Sequence, residues 1–367
     1  MIRLLSAYSL LLALGAICSA QAPVEIKAHT ALVHSVAFSP DGKLFATAGF
    51  DKTAKLYEHT NGVLKEIKVL PGHTDPVYCV AFSPDSKTLA TSSLDKTIKL
   101  WSVPDGKPGP EIKGHTDIVD VIAWSPDGKI LASGSGSADK SVRLWNPADG
   151  KEIKNLGVHA GSVYALAFSP DGKLLVSSGA DNLIKVWDVP GLKLVKDLKG
   201  HELGVTGVAF AGDNSTLISI SQDRTIRVWN LNAVIPKKEE PKKEEPKKVD
   251  PKKDEKKDPK AKEEPKKDPK DMKKDPPKEA PPPMKDPHEV KKFGPTVDDL
   301  YGLSWSAATK TIATAGYAGN ISVWDLNGMT PTFTTKIKSP SYCATFAPDG
   351  KSIASGHDNG TVQFIKR

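Results

Sequence analysis

Five histidines, His29, His73, His115, His159 and His201, recur at intervals of 44, 42, 44 and 42 residues, and no other feature constrains folding as much. An Asp follows each after 22, 22, 24, 22 and 22 residues: Asp51, Asp95, Asp139, Asp181 and Asp223. Six residues beyond each Asp stands an aromatic: Tyr57, Trp101, Trp145, Trp187 and Trp229. Between His and Asp runs an alternating segment, Val36 to Lys43 in the first copy, with variants starting at Val80, Ile122, Leu166 and Val208. Two further copies follow a low-complexity stretch, one from Leu303 to Trp324 and one from Ala344 to Phe364. Seven tandem units of about 41 residues are the signature of a radial repeat, in which no unit buries its apolar face alone.

The local chemistry is that of strands and tight turns. Val36, Phe38, Leu44 and Ala46 alternate with smaller or polar residues, which is strand periodicity. The Ser-Pro-Asp-Gly segments suit turns, because Pro presets φ, Asp bonds its own backbone and Gly takes positive φ. Ala54–Tyr57 and Ile98–Trp101 read as third strands, and Glu66–Val69 as a fourth. No helical periodicity runs through the repeats. These readings give an all-β, seven-bladed β-propeller of four-stranded antiparallel blades. The last copy stops at its third strand, and Val24–Lys27 occupies a fourth-strand register just before His29. The ring is therefore expected to close by joining N- and C-terminal strands in one blade, which removes an exposed sheet edge.

The Gly-His pairs at 72–73, 114–115 and 200–201 and the Trp-Asp pairs at 187–188 and 324–325 resemble the WD40 repeat. The resemblance covers nearly all of the chain outside the low-complexity stretch. It implies a hydrogen-bonded network within each blade, joining the loop His, a strand-two hydroxyl, the turn Asp and the strand-three Trp. The residues concerned are His73, Thr91, Asp95 and Trp101, then His159, Ser177, Asp181 and Trp187, then His201, Ser219, Asp223 and Trp229. In the third copy Ser133 or Ser135 supplies the hydroxyl. The sixth copy has Thr296 for His and Ala318 for Asp. The seventh has Ile337 for His and Phe364 for Trp, and is read as keeping Ser355 and Asp358. Several copies of Ser, His and Asp argue for architecture, since an active site needs one set, and no Gly-x-Ser-x-Gly elbow is present. No catalytic residue, metal site or cofactor is expected.

In such a propeller the loop before strand one and the turn after strand two share one rim. Two positions per blade should face it. The first lies five residues after the repeat His: His34, Tyr78, Asp120, Tyr164, Thr206, Tyr301 and Tyr342. The second precedes the turn Asp and includes Phe50, Gln222, Tyr317 and His357. The richest arc is Tyr301, Tyr317, Tyr342, His357, His34, Phe50 and Tyr78. Aromatics with polar tips suit interfaces, so this arc is a candidate site for a protein or peptide. The alternative is that the tyrosines plug the channel. Asp120, His34 and His357 amid tyrosines make a poor metal cage, against a propeller enzyme such as a lactonase or quinoprotein.

Arg3, the apolar run Leu4–Ile17 and the small residues Cys18–Ala20 read as a signal peptide over residues 1–20, and hence as an exported protein, periplasmic or secreted. Ile17 before Cys18 fits a lipoprotein signal poorly. The remaining cysteines, Cys79 and Cys343, have no CxxC neighbourhood and lie in blades too far apart for a disulfide. Residues 21–235 hold blades one to five, 236–288 a Lys/Pro/Glu-rich insert, and 289–367 the rest of the propeller. From Pro236 to Lys292 there are 21 Lys against 16 Asp and Glu, so most of the net charge of +7 sits there. The folded part is then nearly neutral, against nucleic-acid binding. The insert has too few apolar residues to fold and too much proline for anything but extended chain. It is a solvated spacer, or it attaches weakly to an anionic envelope surface, the basis of an alternative envelope-associated structural role. A monomer is expected.

Overall fold

The computed structural model describes residues 24–60, 62–234, 286–328 and 330–366, and the leader and residues 235–285 of the insert lie outside them. The described chain forms 28 strands in seven antiparallel sheets of four. Blade one is β2 (Val33–Phe38), β3 (Leu44–Gly49), β4 (Ala54–Thr60) and β5 (Val63–Leu70). Blades two to four repeat this order through the four strands within 77–113 (β6–β9), the four within 119–158 (β10–β13) and the four within 163–198 (β14–β17). Blade five is β18 (Val205–Phe210), β19 (Thr216–Ser221), β20 (Ile226–Asn230) and β21 (Glu289–Phe293), so the insert falls between its third and fourth strands. Blade six is β22 (Leu300–Ser306), β23 (Thr311–Gly316), β24 (Asn320–Asp325) and β25 (Pro331–Lys336), and blade seven runs in the order β1 (Val24–Lys27), β28 (Thr361–Lys366), β27 (Ser352–His357), β26 (Ser341–Phe346).

The turns explain why the strands stop where they do. Ser39 Oγ donates to Asp41 Oδ1 at 2.7 Å and accepts from Leu44 N at 2.8 Å, while Gly42 sits at φ 74°. The same serine–aspartate clasp recurs at Ser83–Asp85, Ser125–Asp127 and Ser169–Asp171, at 2.6 to 2.7 Å. A residue in the left-handed region follows each turn Asp, Lys52, Lys96, Lys140 and Arg224 among them.

The core lies between blades. Each of seven apolar clusters takes residues from two neighbouring sheets; one joins Ala46, Leu56 and Leu70 of blade one to Val80, Leu89 and Trp101 of blade two. Burying each such large side chain is worth about 1.5–3 kcal/mol, so blades are stable only as a set. Closure follows the same logic. β1 (Val24–Lys27) pairs with β28 (Thr361–Lys366) in the register Val24↔Phe364 to Lys27↔Thr361. Gly360 O accepts the backbone N–H of both Ala28 and His29 at 3.0 Å.

Three sequence expectations need correction. The propeller resumes at Asp286, inside the span read as insert. Asp286 is buried and accepts from Lys199 N at 3.0 Å, and His288 O accepts from Asn230 N. In blade three Ser133, not Ser135, belongs to the network, because the two extra residues fall in the turn beyond both serines. Blade seven is read one residue out of register. Its strand pairing aligns His357 with Gly49, and Ser341↔His357 matches Val33↔Gly49. The turn residue is therefore Asn359, not Asp358. Asn359 Oδ1 accepts from Thr361 N and Oγ1 as Asp51 Oδ1 does from Thr53. Likewise Ile365, opposite Ile353, takes the place of Trp101, opposite Leu89, and Phe364 packs instead between blades seven and one.

Candidate functional site

Two constructions meet at the upper face, which carries the loop before strand one and the turn after strand two. The first is the network beneath it. In blade two His73 Nε2 lies 2.8 Å from Thr91 Oγ1 and Nδ1 lies 2.8 Å from Asp95, and Trp101 Nε1 donates to Thr91 at 3.0 Å. Blade four joins His159 to Ser177 at 2.8 Å and to Asp181 at 3.0 Å, with Trp187 donating to Ser177. Blade five joins His201 to Ser219 at 2.7 Å and to Asp223 at 2.8 Å, with Trp229 donating to Ser219. Blade three repeats this with His115, Ser133, Asp139 and Trp145, and blade one with His29, Thr47 and Asp51.

Where the loop His is missing, another residue fills its place. Gly49 abuts the His29 ring so closely that a Cβ there would lie 2.2 Å from Nδ1. In blade six the equivalent Gly316 abuts Asp298, which is buried and accepts from Ala318 N at 2.7 Å. In blade seven no glycine is needed, because the side chain at that position is the filler. His357 is fully buried, with Nε2 2.9 Å from Ser355 Oγ and Nδ1 3.3 Å from Pro340 O. Its placement on the exposed arc is thus corrected: it supplies from strand two the imidazole that blades one to five supply from the loop. Asp358 takes the rim register instead.

The second construction is the mouth of the central channel. In every blade the innermost strand carries a register shift that skips one residue: His34, Tyr78, Asp120, Tyr164, Thr206, Tyr301 and Tyr342. A β-bulge frees a residue from the ladder and re-aims its side chain. All seven line one cavity of about 440 Å³, completed by Leu32, Phe50 and Gln222. Two aromatic groups form its wall. His34, Phe50 and Tyr78 pack with ring centroids 4.7 to 5.5 Å apart. Tyr301, Tyr317 and Tyr342 pack at 5.8 to 6.3 Å, and Tyr317 is 53% exposed at the outer edge. Gln222 Nε2 donates to Tyr301 Oη at 3.4 Å, and Thr206 Oγ1 donates to Leu300 O at 2.6 Å.

The electrostatics of the mouth are uneven. His34 Nδ1 lies 2.8 Å from Tyr78 O, and burial lowers its pKa, which favours neutral imidazole. Asp120 is half-buried, and among the described residues its carboxyl has no hydrogen-bond or ion-pair partner. Burial, helped by the neighbouring Asp117 carboxylate, pushes it up to about 7. Asp120 and Tyr164 fall at the position five residues after the repeat His but outside the richest arc. Their register was legible, whereas the isolation of Asp120 depends on what surrounds it in space. The two cysteines among the described residues, Cys79 and Cys343, are free, and burial pushes the Cys343 thiol up to about 12. No group of three or more His, Cys, Asp or Glu side chains is poised for a metal among the described residues.

The family model for the WD domain, G-beta repeat, matches residues 22–58, 64–102, 106–146, 150–188, 192–230 and 330–366. The chain belongs to the WD40 family. The WD40 match omits the repeat that follows the insert, the one with Thr296 and Ala318 in the His and Asp places, yet that repeat folds as a full blade. No curated protein matches the chain. WD40 propellers are generally protein-interaction scaffolds and typically not enzymes.

Proposed function

We propose that this WD40 propeller is an exported scaffold that captures a protein or peptide at the mouth of its channel. The observation that carries the reading is the convergence of aromatic side chains from blades one, two, six and seven at one partly open cavity. Rings with polar tips offer large contact area at low entropic cost and dominate binding hot spots. Phe50, Tyr317 and Tyr342 make no side-chain hydrogen bond among the described residues and lie outside the apolar seams between blades, so exchanging them leaves the polar network and the core in place. Arg3 and the apolar run Leu4–Ile17 support export.

The test is the triple exchange of Phe50, Tyr317 and Tyr342 to Ala. Affinity capture of the partner by the exported chain should fall at least about tenfold, at roughly 1–2 kcal/mol per hot-spot ring, while the thermal melt stays where it is. Capture that survives the exchange overturns the assignment of the site.

A further inference from the structure

We propose that the group received in the mouth is a positively charged side chain, lysine or arginine, of the protein partner, held by the Asp120 carboxylate within a wall of aromatic rings. This rests on the top-face reading and specifies the chemistry of what enters there.

Asp120 is the one acidic residue among the residues lining the cavity, and no Lys or Arg lines it. Asp117 beyond it is occupied, accepting from Ala138 N at 2.8 Å. A carboxyl group partly withdrawn from water with no protein donor is a costly arrangement. Its bulge aims it into the one space where a donor can arrive from outside. Tyr78 and Tyr164 occupy the matching positions in the blades on either side, and burial, with the Asp120 charge adding to it, raises the pKa of both hydroxyls. Apart from Leu32, Thr206 and Gln222 the rest of the wall is aromatic, and aromatic faces attract cations, most strongly where water is displaced. An anionic ligand is repelled here, and a neutral apolar one leaves the carboxyl unanswered. A divalent ion needs several oxygen ligands at once, and this lining offers a single carboxylate. A cation on a flexible apolar stem satisfies both halves of the site: its head reaches Asp120 and its methylenes lie against the rings.

The probe is a set of three fluorescent octapeptide pools of mixed sequence, with lysine, arginine or norleucine fixed at the centre. Binding to the full chain is read by anisotropy at pH 8. The lysine or arginine pool should bind roughly tenfold tighter than the norleucine pool. Asp120→Asn should bring all three within about twofold, with a melt no lower than that of the native chain. Lowering the pH to 6 should shrink the preference in the native chain and leave the variant unchanged. The groups facing Asp120 are Asp117, Tyr78 and Tyr164, and across the cavity His34 is held neutral by burial. Equal binding of the norleucine pool, or a preference that survives Asp120→Asn, overturns the proposal. If the pools bind alike and the triple aromatic exchange abolishes binding, the mouth is a peptide site and the cation assignment alone falls. If no pool binds, both fall.

Discussion

In blades two to five a single hydroxyl serves two partners. The indole N–H of Trp229 donates to Ser219 Oγ, the Ser219 O–H points to His201 Nε2, and the opposite ring nitrogen donates to Asp223. All the side-chain atoms of the first two bonds are buried. Ser219→Ala strands both an indole N–H and an imidazole nitrogen, and should cost about 1–3 kcal/mol by urea denaturation. His357→Ala should cost a similar amount, because it leaves Ser355 and Pro340 O unanswered and opens a void. A loss below a few tenths of a kcal/mol at either position would show that the network is not what holds the turn. The acid response follows from the same groups. Burial lowers the pKa values of His29, His115 and His201, so the unfolded chain takes up protons first and stability falls as the pH drops below about 6.5. Burial alone would raise Asp139, but hydrogen bonds from Ser141, Thr116 N and His115 hold it at about 2, so its contribution is present above about pH 4 and lost as the pH falls towards 2. Asp120 has the opposite sign. Its folded value of about 7 lies above its unfolded one, so its contribution is full below about pH 4 and gone above 7. Asp120→Asn should therefore gain on the native chain between pH 5 and pH 8, by about 2–4 kcal/mol in paired urea denaturations; a constant difference would contradict the isolation of this carboxyl.

At the level of strands, β1 is the edge strand that completes blade seven, adding four residue pairs to β28. Deleting residues 24–27 leaves β28 with a bare edge and uncovers the apolar seam of Ala28, Val33, Val362 and Phe364. The truncated chain should aggregate or lose its single cooperative transition in calorimetry; an unchanged melt would mean the join is dispensable. The strand pattern was legible in the sequence because most units announce their own turns: Ser-Pro-Asp-Gly or a variant at one end, Asp-Lys-Thr or a variant at the other. Legibility failed where the punctuation changed. In blade seven Asn359 does the work of the turn Asp while a real Asp sits one place earlier, and reading the wrong one shifted His357 to the rim and Phe364 to the Trp place. Counting 22 residues on from Ile337 reaches Asn359, so the spacing held the correct answer and residue identity misled. The bulges had no such signal, because a skipped residue looks like any other member of an alternating run.

At the scale of the whole molecule, seven sheets share seven seams, each built from two neighbours. Blade six keeps its seam although it has lost the loop His and turn Asp, because Ile321, Val323 and Trp324 still fill it and Asp298 braces the turn. Ring membership depends on packing more than on the polar network. The skipped residue at the head of each inner strand then has a wider consequence. Since it stands outside the strand pairing and the apolar seams, exchanging it alters what the opening presents, and the scaffold behind it loses at most a bond such as those from His34 to Tyr78 O and from Thr206 to Leu300 O in the next blade. His, Tyr, Asp and Thr already stand there side by side on one backbone geometry. The protein thus carries a seven-letter surface that can be rewritten one letter at a time while the ring stays the same.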